Sequence, residues 1–299
     1  MPEADQRAAG SSPALPAFQR ILLATDFSVR SVVAVPFARA LAEYYGGSMV
    51  VAHVITAEAP DGGGMETPAE LDAARAQAES EVRKFIAENP LGRVRYETVV
   101  GPGPAWEFFA PLVEEKHIDL IVLGTHGWSG VGKLLLGSVA QRIFSLAPCP
   151  VLSVSPRVQK SWGAAGRLRR ILYPTDFTPT GLKALPYALS LAKVSQAALL
   201  LLHAPEGSAA GSSEMVQGFH QHLNALIPAE ERTWCKSDTL VTAGEPEQVI
   251  LEAAERNAAD VIVMGAHAFE GSLSLLQVPL SIAYRVVAHA PCPVLRVRG

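Results

Sequence analysis

The hydrophobic pattern of the chain alternates between short continuous apolar runs and longer segments whose apolar residues recur at helical spacing. The runs that begin near Arg20, Ser48 and Ile118 are short and rich in β-branched residues, as expected of strands buried on both faces. Between them, residues 32–44 and 68–88 carry apolar side chains three or four positions apart, which predicts helices. This alternation predicts right-handed βαβ crossovers and a parallel sheet.

The first half of the chain is predicted to hold five strands, the last at residues 150–154. Its first strand runs into Thr25 and Asp26 and then into a helix, which either Asp26 or Ser28 can cap. Pro36 is compatible with this helix because it lies near the start. The last helix begins at Ser138, after a loop rich in glycine.

The same order of motifs then restarts. The segment RILYPTDFT at 170–178 matches RILLATDFS at 20–28 in six of nine positions, and a later APCPVLRV matches APCPVLSV in seven of eight. The first pair is offset by 150 residues and the last by 143, so the copies differ mainly in loop length. A repeat this long predicts two like domains. The predicted divisions are a disordered tail (1–18), an N-terminal nucleotide-binding domain (19–156), a linker (157–168) and a C-terminal domain (169–299).

Composition narrows the range of functions. Hydrophobic residues make up 49% of the chain and charged residues 18%, as in a well-packed globular protein. The net charge of −4 argues against a nucleic-acid partner, and no apolar run reaches the ~18 residues of a membrane span. The N-terminus has no apolar signal core, and the three cysteines have neither a disulfide-framework nor a zinc-site spacing. We therefore expect a cytoplasmic protein that binds neither nucleic acid nor membrane.

The candidate chemistry lies in residues 119–138, where a buried strand leads through a glycine-rich loop into a helix. Glycine occupies positions 124, 127, 130, 132 and 137. Glycines allow close backbone approach, and a helix N-terminus offers N–H groups and the positive end of its dipole. The combination favours a nucleotide-phosphate site over a set of ordinary turns.

Two common nucleotide motifs fit this loop poorly. Residues 127–133 match GxxxxGK, the start of a P-loop, but Leu134 stands where a P-loop carries the Ser or Thr that binds Mg²⁺. A P-loop also follows the first strand of its domain, whereas this loop follows the fourth. A dinucleotide GxGxxG is absent after the first strand. The pattern that remains is G-x2-G-x9-G-S, formed by Gly124, Gly127, Gly137 and Ser138.

This pattern, together with RILLATDFS, the His-Val end of the second strand and APCPVL, resembles the universal stress protein (UspA-like) family, and the resemblance extends over both halves of the chain. It implies an α/β protein of two tandem doubly wound, Rossmann-like domains. Each domain would hold a five-stranded parallel sheet in the order 3-2-1-4-5, with helices on both faces. The resemblance also implies that the chain binds ATP, together with Mg²⁺.

The resemblance assigns roles to individual residues of the first half. Asp26 would accept hydrogen bonds from ribose or adenine, and the backbone of Val54 would meet the adenine. His126 and two glycines would approach the phosphates, and the start of the last helix would cap the triphosphate. Ala24 and Ala140 depart from the family pattern, which commonly has proline and a hydroxyl residue there. The implied nucleotide-binding residues are Ala24, Thr25, Asp26, Val54, Leu123, Gly124, His126, Gly127, Gly130, Gly137, Ser138, Val139 and Ala140.

Several of these positions also have ordinary structural explanations. Asp26 taken alone is more often a helix cap than a ligand. His53, at the end of the second strand, is more often a core histidine than a base or metal ligand. Cys149 and Cys292, each between two prolines, are expected to be small core residues, and Lys133 is equally consistent with solvent and with phosphate.

The second copy of the loop has lost part of the pattern. Ala268 replaces the second glycine, and Leu280 stands before Ser281 where the first half has Gly137. A leucine obstructs the site if that position needs a positive φ or a close phosphate. Asp176 survives as the counterpart of Asp26. We therefore expect the N-terminal site to bind ATP and the C-terminal site to bind it weakly or not at all.

The sequence contains no nucleophile–base pair, carboxylate dyad or metal-ligand cluster at usable spacing. We therefore expect an ATP-binding regulatory protein of the stress response, with slow ATP hydrolysis at most. Two alternatives stay open: an interaction module without nucleotide, and an adenine-nucleotide α-hydrolase-like enzyme, which would need an SGGxDS-type or HxGH-type loop after the first strand.

The fifth strands, at 150–154 and 293–297, can pair within the chain. We expect an intramolecular pseudo-dimer, and a homodimer of whole chains stays open.

Overall fold

The computed structural model describes residues 14–55, 67–125, 137–158, 162, 167–205, 212–266 and 281–299. The first half contains β1 (Arg20–Ala24), α1 (Val29–Val32), α2 (Val35–Tyr45), β2 (Ser48–Ile55), α3 (Pro68–Glu88), β3 (Arg95–Pro102), α4 (Ala105–Glu115), β4 (Leu120–Gly124), α5 (Ser138–Leu146) and β5 (Val151–Val154). The second half contains β6 (Arg170–Pro174), α6 (Pro179–Leu182), α7 (Leu185–Ser195), β7 (Ala198–His203), α8 (Ser213–Ala225), β8 (Ser237–Val241), α9 (Pro246–Arg256), β9 (Val261–Ala266), α10 (Ile282–His289) and β10 (Val294–Arg298). None of the helices in these ranges is long and apolar enough to cross a membrane.

The strands of both halves join in one ten-stranded sheet, in the order β3-β2-β1-β4-β5-β10-β9-β6-β7-β8. Each half has the order 3-2-1-4-5 with parallel pairing, which confirms the predicted fold class. The fifth strands meet antiparallel, with Leu152 opposite Leu295. The predicted pairing of these strands within one chain is therefore confirmed, and neither strand is left as an open edge.

The apolar runs are continuous because both faces of the sheet are covered. Along β1, Ile21 and Leu23 face one apolar layer, while Leu22 and Ala24 face the other. Each layer extends through both halves of the chain. A strand with helices on both sides gains burial energy from every position, about 1.5–3 kcal/mol for each large aliphatic side chain.

The helix predicted after β1 is divided into α1 and α2. Ser28 is the N-cap of α1, since its Oγ accepts a hydrogen bond from the Ser31 N–H at 3.2 Å. Pro36 lies in the first turn of α2, where its missing N–H removes no helical bond. The prediction of one continuous helix was wrong here, because the chain restarts the helix just before the proline. Gly46, with φ of 63°, ends α2 in the left-handed conformation.

Aromatic side chains fill the junction between the two halves on the face of α2 and α7. Phe18 packs edge-on against Tyr45 and stacks on Tyr187, with ring centroids 5.2 and 5.9 Å apart. Trp162 packs against Phe37 and donates its Nε1–H to the Asp260 carbonyl at 2.8 Å. Phe18 and Trp162 are only 1% and 3% exposed, so both belong to the core although they fall within the predicted tail and linker. The predicted division into domains stays a prediction.

Arg296 is buried on the opposite face of the junction, where it lies across from Val151 of β5. In the repeated APCPVL motif it takes the place of Ser153. Its guanidinium lies 5.3 Å from the centre of the Phe144 ring, and Nη1 donates to the Ala147 carbonyl at 3.4 Å. Burial lowers the pKa of Arg296 to about 10. The arginine thus connects β10 to the end of α5 in the other half.

Candidate functional site

A cavity of about 410 Å³ lies at the carboxyl ends of β1 and β4. These strands are neighbours in the sheet, but the chain continues from β1 toward β2 on one side and from β4 toward β5 on the other. Such a reversal opens a crevice at the strand ends, which is where doubly wound proteins bind ligands. The cavity is lined by Ala24, Thr25, Asp26, Ser28, Arg30, Ser31, His53, Val54, Phe109, Leu123, Gly124, Gly137, Val139, Ala140 and Ile143.

Most of the site residues implied by the sequence come together in this cavity. The implied residues that line the cavity are Ala24, Thr25, Asp26, Val54, Leu123, Gly124, Gly137, Val139 and Ala140. Ser138 is the first residue of α5. His126, Gly127 and Gly130 lie outside the described residues, as does Lys133. Contact of any of these residues with a nucleotide stays a prediction.

A tight turn fixes Asp26 at the mouth of the cavity. Asp26 Oδ1 accepts from the Ser28 N–H at 3.0 Å, and Thr25 Oγ1 accepts from the Phe27 N–H at 3.0 Å. Phe27 has a φ of 61°, a conformation that bulky residues rarely adopt. Its counterpart Phe177 has a φ of 62°, so both halves hold the same strained turn.

His53 supports this turn from β2. Its ring stacks on Phe27 with centroids 4.2 Å apart, and its Nδ1–H donates to the Thr25 carbonyl at 2.9 Å. The hydrogen bond holds one ring nitrogen on the backbone and orients the imidazole toward the cavity. His203 makes the same 2.9 Å bond to Thr175 in the second half. Both histidines therefore have the structural role that the sequence favoured.

Gly124 is required by packing at the end of β4. A Cβ built on this glycine would lie 2.1 Å from the carbonyl oxygen of Arg30, in α1. At Gly265 a Cβ would likewise lie 2.1 Å from the Thr180 carbonyl. The first glycine of the G-x2-G pattern therefore allows the short helix after the first strand to pack on the fourth strand, a reason that the sequence alone did not reveal.

The N-terminus of α5 faces the cavity. Gly137 is the N-cap of this helix and, as a glycine, has no side chain that could cap it. The N–H groups of the first turn have no partners within the helix. Gly137 has a φ of −54°, so a left-handed conformation is not the reason for glycine at this position. Close approach of a phosphate to this glycine stays a prediction.

Sequence reasoning missed several residues that line the cavity, among them Arg30 and Phe109. Arg30 lies on α1, just after the strained turn, and is the arginine among the lining residues. Phe109 lies on α4 and is only 1% exposed. A signal was present for Arg30, since the first turn of a helix that follows β1 must begin at the same edge of the sheet. Phe109 carried only the signal of a core residue.

The second half has a corresponding cavity of about 480 Å³. It is lined by Pro174, Thr175, Asp176, Gly181, Leu202, His203, Ala204, Pro205, Phe219, Pro246, Ile250, Met264, Gly265, Ala266, Ser281, Ile282 and Ala283. Ser281 is the N-cap of helix α10, and its Oγ accepts a hydrogen bond from the Tyr284 N–H at 3.3 Å. One of its first-turn donors is therefore already satisfied by the protein.

The thiols of two cysteines have raised pKa values. Burial raises the pKa of Cys149 to about 12 and raises the pKa of Cys292 further, so both thiols stay protonated at neutral pH. Among the residues that the structure describes, no group of three His, Cys, Asp or Glu side chains could hold a metal ion.

Comparison with known proteins places this geometry in a family. The family model described as "Universal stress protein family" matches residues 17–155 and again 167–298. A universal stress protein of Thermus aquaticus is 36% identical over 138 residues, which cover 46% of this chain and 98% of that protein. A universal stress protein of Mycolicibacterium smegmatis is 25% identical over 290 residues, which cover 93% of this chain and 96% of the relative.

A solved structure has the same architecture along almost the whole chain. It is a universal stress protein from Archaeoglobus fulgidus, with a TM-score of 0.73 at 19% identity, and the match covers 93% of this chain and 98% of that one. At this identity the likeness establishes the fold alone. The two matches to the family model together span nearly all of the chain that follows the N-terminal segment. The chain therefore belongs to the universal stress protein family, with two family domains in tandem.

Proposed function

We propose that this protein is an ATP-binding regulator of the stress response, with its working nucleotide site in the N-terminal cavity. One observation carries the proposal: the start of α5 borders the cavity at the carboxyl ends of β1 and β4. This helix begins at a glycine, which has no side chain to cap the first-turn N–H groups. Backbone N–H groups and a helix dipole directed at a crevice favour a bound anion.

The size and polarity of the cavity agree with a nucleotide. Its volume of about 410 Å³ lies in the range of small-molecule sites, roughly 300–1,000 Å³. Val54 and Phe109 provide apolar surface for a base, and Asp26 provides a carboxylate for ribose or adenine donors. Arg30 adds a cation that favours the phosphates. Mg²⁺ would then be bound mainly through the phosphate oxygens, as is usual for this ion.

The described residues favour binding over catalysis. Asp26 Oδ1 and the Nδ1 of His53 are both engaged with backbone groups of the same turn. Slow hydrolysis would therefore rely on the charge of Mg²⁺ and on backbone donors rather than on a dedicated base. We propose that ATP occupancy alters which surfaces the protein presents to a partner. The C-terminal cavity would bind ATP weakly or not at all.

The test is to denature the purified protein, identify any released nucleotide, and titrate the emptied protein with ATP by calorimetry. We expect one equivalent of adenine nucleotide per chain. Gly137→Leu, which copies the residue at the matching position of the second half, should abolish this binding. Leu280→Gly is the matched control and should leave it unchanged. Absence of both released nucleotide and calorimetric binding would instead support an interaction module that uses no nucleotide.

A further inference from the structure

We propose that the C-terminal cavity is a distinct binding site for an uncharged, mainly apolar ring compound rather than for a nucleotide. The cavity of about 480 Å³ is large enough for a ligand of two or three fused rings. The proposal does not depend on ATP binding in the first half, because it rests on how this second cavity is lined.

The lining is largely apolar. Leu202 enters from β7, Ile250 from α9, Met264 from β9 and Ala283 from α10. Each of these side chains is at most 6% exposed, so together they form walls that belong to the packed core. An apolar ligand in such a cavity gains roughly 25 cal/mol for each Å² of apolar surface that it removes from water.

An aromatic wall favours a planar ligand. Phe219, on α8, lines the cavity beside His203, with ring centroids 4.6 Å apart. Phe219 also lies parallel to Phe177, at 6.4 Å and 10° between the ring planes. Flat rings stack on such surfaces with a gain beyond simple area burial. The described lining of the first cavity has no aromatic residue from the corresponding helix α3.

The charges at this site disfavour phosphate. Thr180 stands where the first half has Arg30, and the described lining contains the Asp176 carboxylate but no lysine or arginine. A triphosphate in the second cavity would find no compensating lysine or arginine among the described lining residues.

The start of α10 adds apolar surface to the cavity. Ser281 caps α10 through its own hydroxyl, which takes the N–H of Tyr284. The next residue, Ile282, is apolar and 36% exposed, and it lies at the cavity. The apolar walls, the aromatic surface and the lack of a lysine or arginine in the described lining therefore favour the same neutral class of ligand.

The proposal can be tested with Nile red, a neutral aromatic dye whose fluorescence rises in apolar surroundings. The full-length protein should bind one equivalent of dye, and saturating MgATP should not displace it. Ala283→Phe, which fills the cavity, should weaken dye binding by about ten-fold or more, while the matched Ala140→Phe in the first half should leave it unchanged. Phe219→Ala, at a partly exposed position, should weaken it by about five-fold.

Each result is decisive. Competitive displacement of the dye by MgATP overturns the proposal, as does dye binding that survives both Ala283→Phe and Phe219→Ala. If Ala283→Phe does not fold, as judged by circular dichroism, Phe219→Ala alone decides. Calorimetry with ATP on the same samples reports the first site separately, so loss of nucleotide binding without loss of dye binding would reject only the ATP-binding function.

Discussion

Val139→Asp is the sharpest test of a phosphate site at the start of α5. Val139 is the second residue of this helix and lines the N-terminal cavity. Because a helix rises about 1.5 Å per residue, a carboxylate here would lie roughly 6 Å from an anion bound at the helix end. The substitution therefore places a negative charge beside the proposed phosphates without filling the cavity.

The expected effect follows from Coulomb's law. Two unit charges 6 Å apart repel by about 1.4–2.8 kcal/mol at an effective dielectric constant of about 20–40. This repulsion lowers affinity by about 10- to 100-fold. An aspartate in the first turn of a helix is itself stabilising, by about 0.3–1 kcal/mol, so the protein should remain folded. Affinity for adenosine, which carries no phosphate, should change much less than affinity for ATP.

Calorimetric titration with MgATP and with adenosine measures both effects. Val139→Asn is the control, because asparagine has nearly the same shape as aspartate but no charge. This variant should keep most of the ATP affinity. Ile282→Asp places the same charge on α10 and should have no effect on ATP. Equal loss of ATP affinity in the Asp and Asn variants, or full affinity in Val139→Asp, would refute an anion at this helix end.

Three further predictions concern the framework. Gly124→Ala should destabilise the protein by about 1–3 kcal/mol in a urea titration, because its Cβ would meet the Arg30 carbonyl at 2.1 Å; Gly218→Ala, which meets nothing within 4 Å, should not. Trp162→Ala should cost about 3–5 kcal/mol since Trp162 is only 3% exposed, and an unchanged melting temperature would contradict its packing role. Iodoacetamide at pH 8 should modify Cys149 far more slowly in native protein than in urea, because burial raises its pKa to about 12; equal rates would show an accessible thiolate.

Much of the fold could be predicted because its signals are local. Apolar runs and helical spacing gave the strands and helices of each half, and the duplicated motifs gave two like sheets. The division between α1 and α2 was missed, because Pro36 is compatible both with one helix and with a new start. The sequence could not decide whether Asp26 or Ser28 caps the helix. The hydrogen bond from the Ser31 N–H to Ser28 Oγ identifies Ser28 as the N-cap.

The candidate site was predicted less completely. The family pattern named residues along β1, β4 and α5, and all of these except Ser138 line one cavity. Arg30 was missed although its place in the first turn after β1 puts it at this edge of the sheet. Phe109 was missed because its local sequence carries only the signal of a core position. The same is true of Phe219 in the second half, whose position beside His203 depends on how α8 packs on the sheet.

The sequence by itself determined the duplicated α/β architecture, the glycine loop and its loss in the second copy, since each of these is written in residue types and spacing. Only the tertiary structure decided why Gly124 must be glycine, that Phe18 and Trp162 belong to the core, and that the second cavity is apolar and internally capped. These properties arise where segments far apart in the chain meet. Contacts of that kind depend on packing, and a local pattern of apolar and polar residues does not predict them.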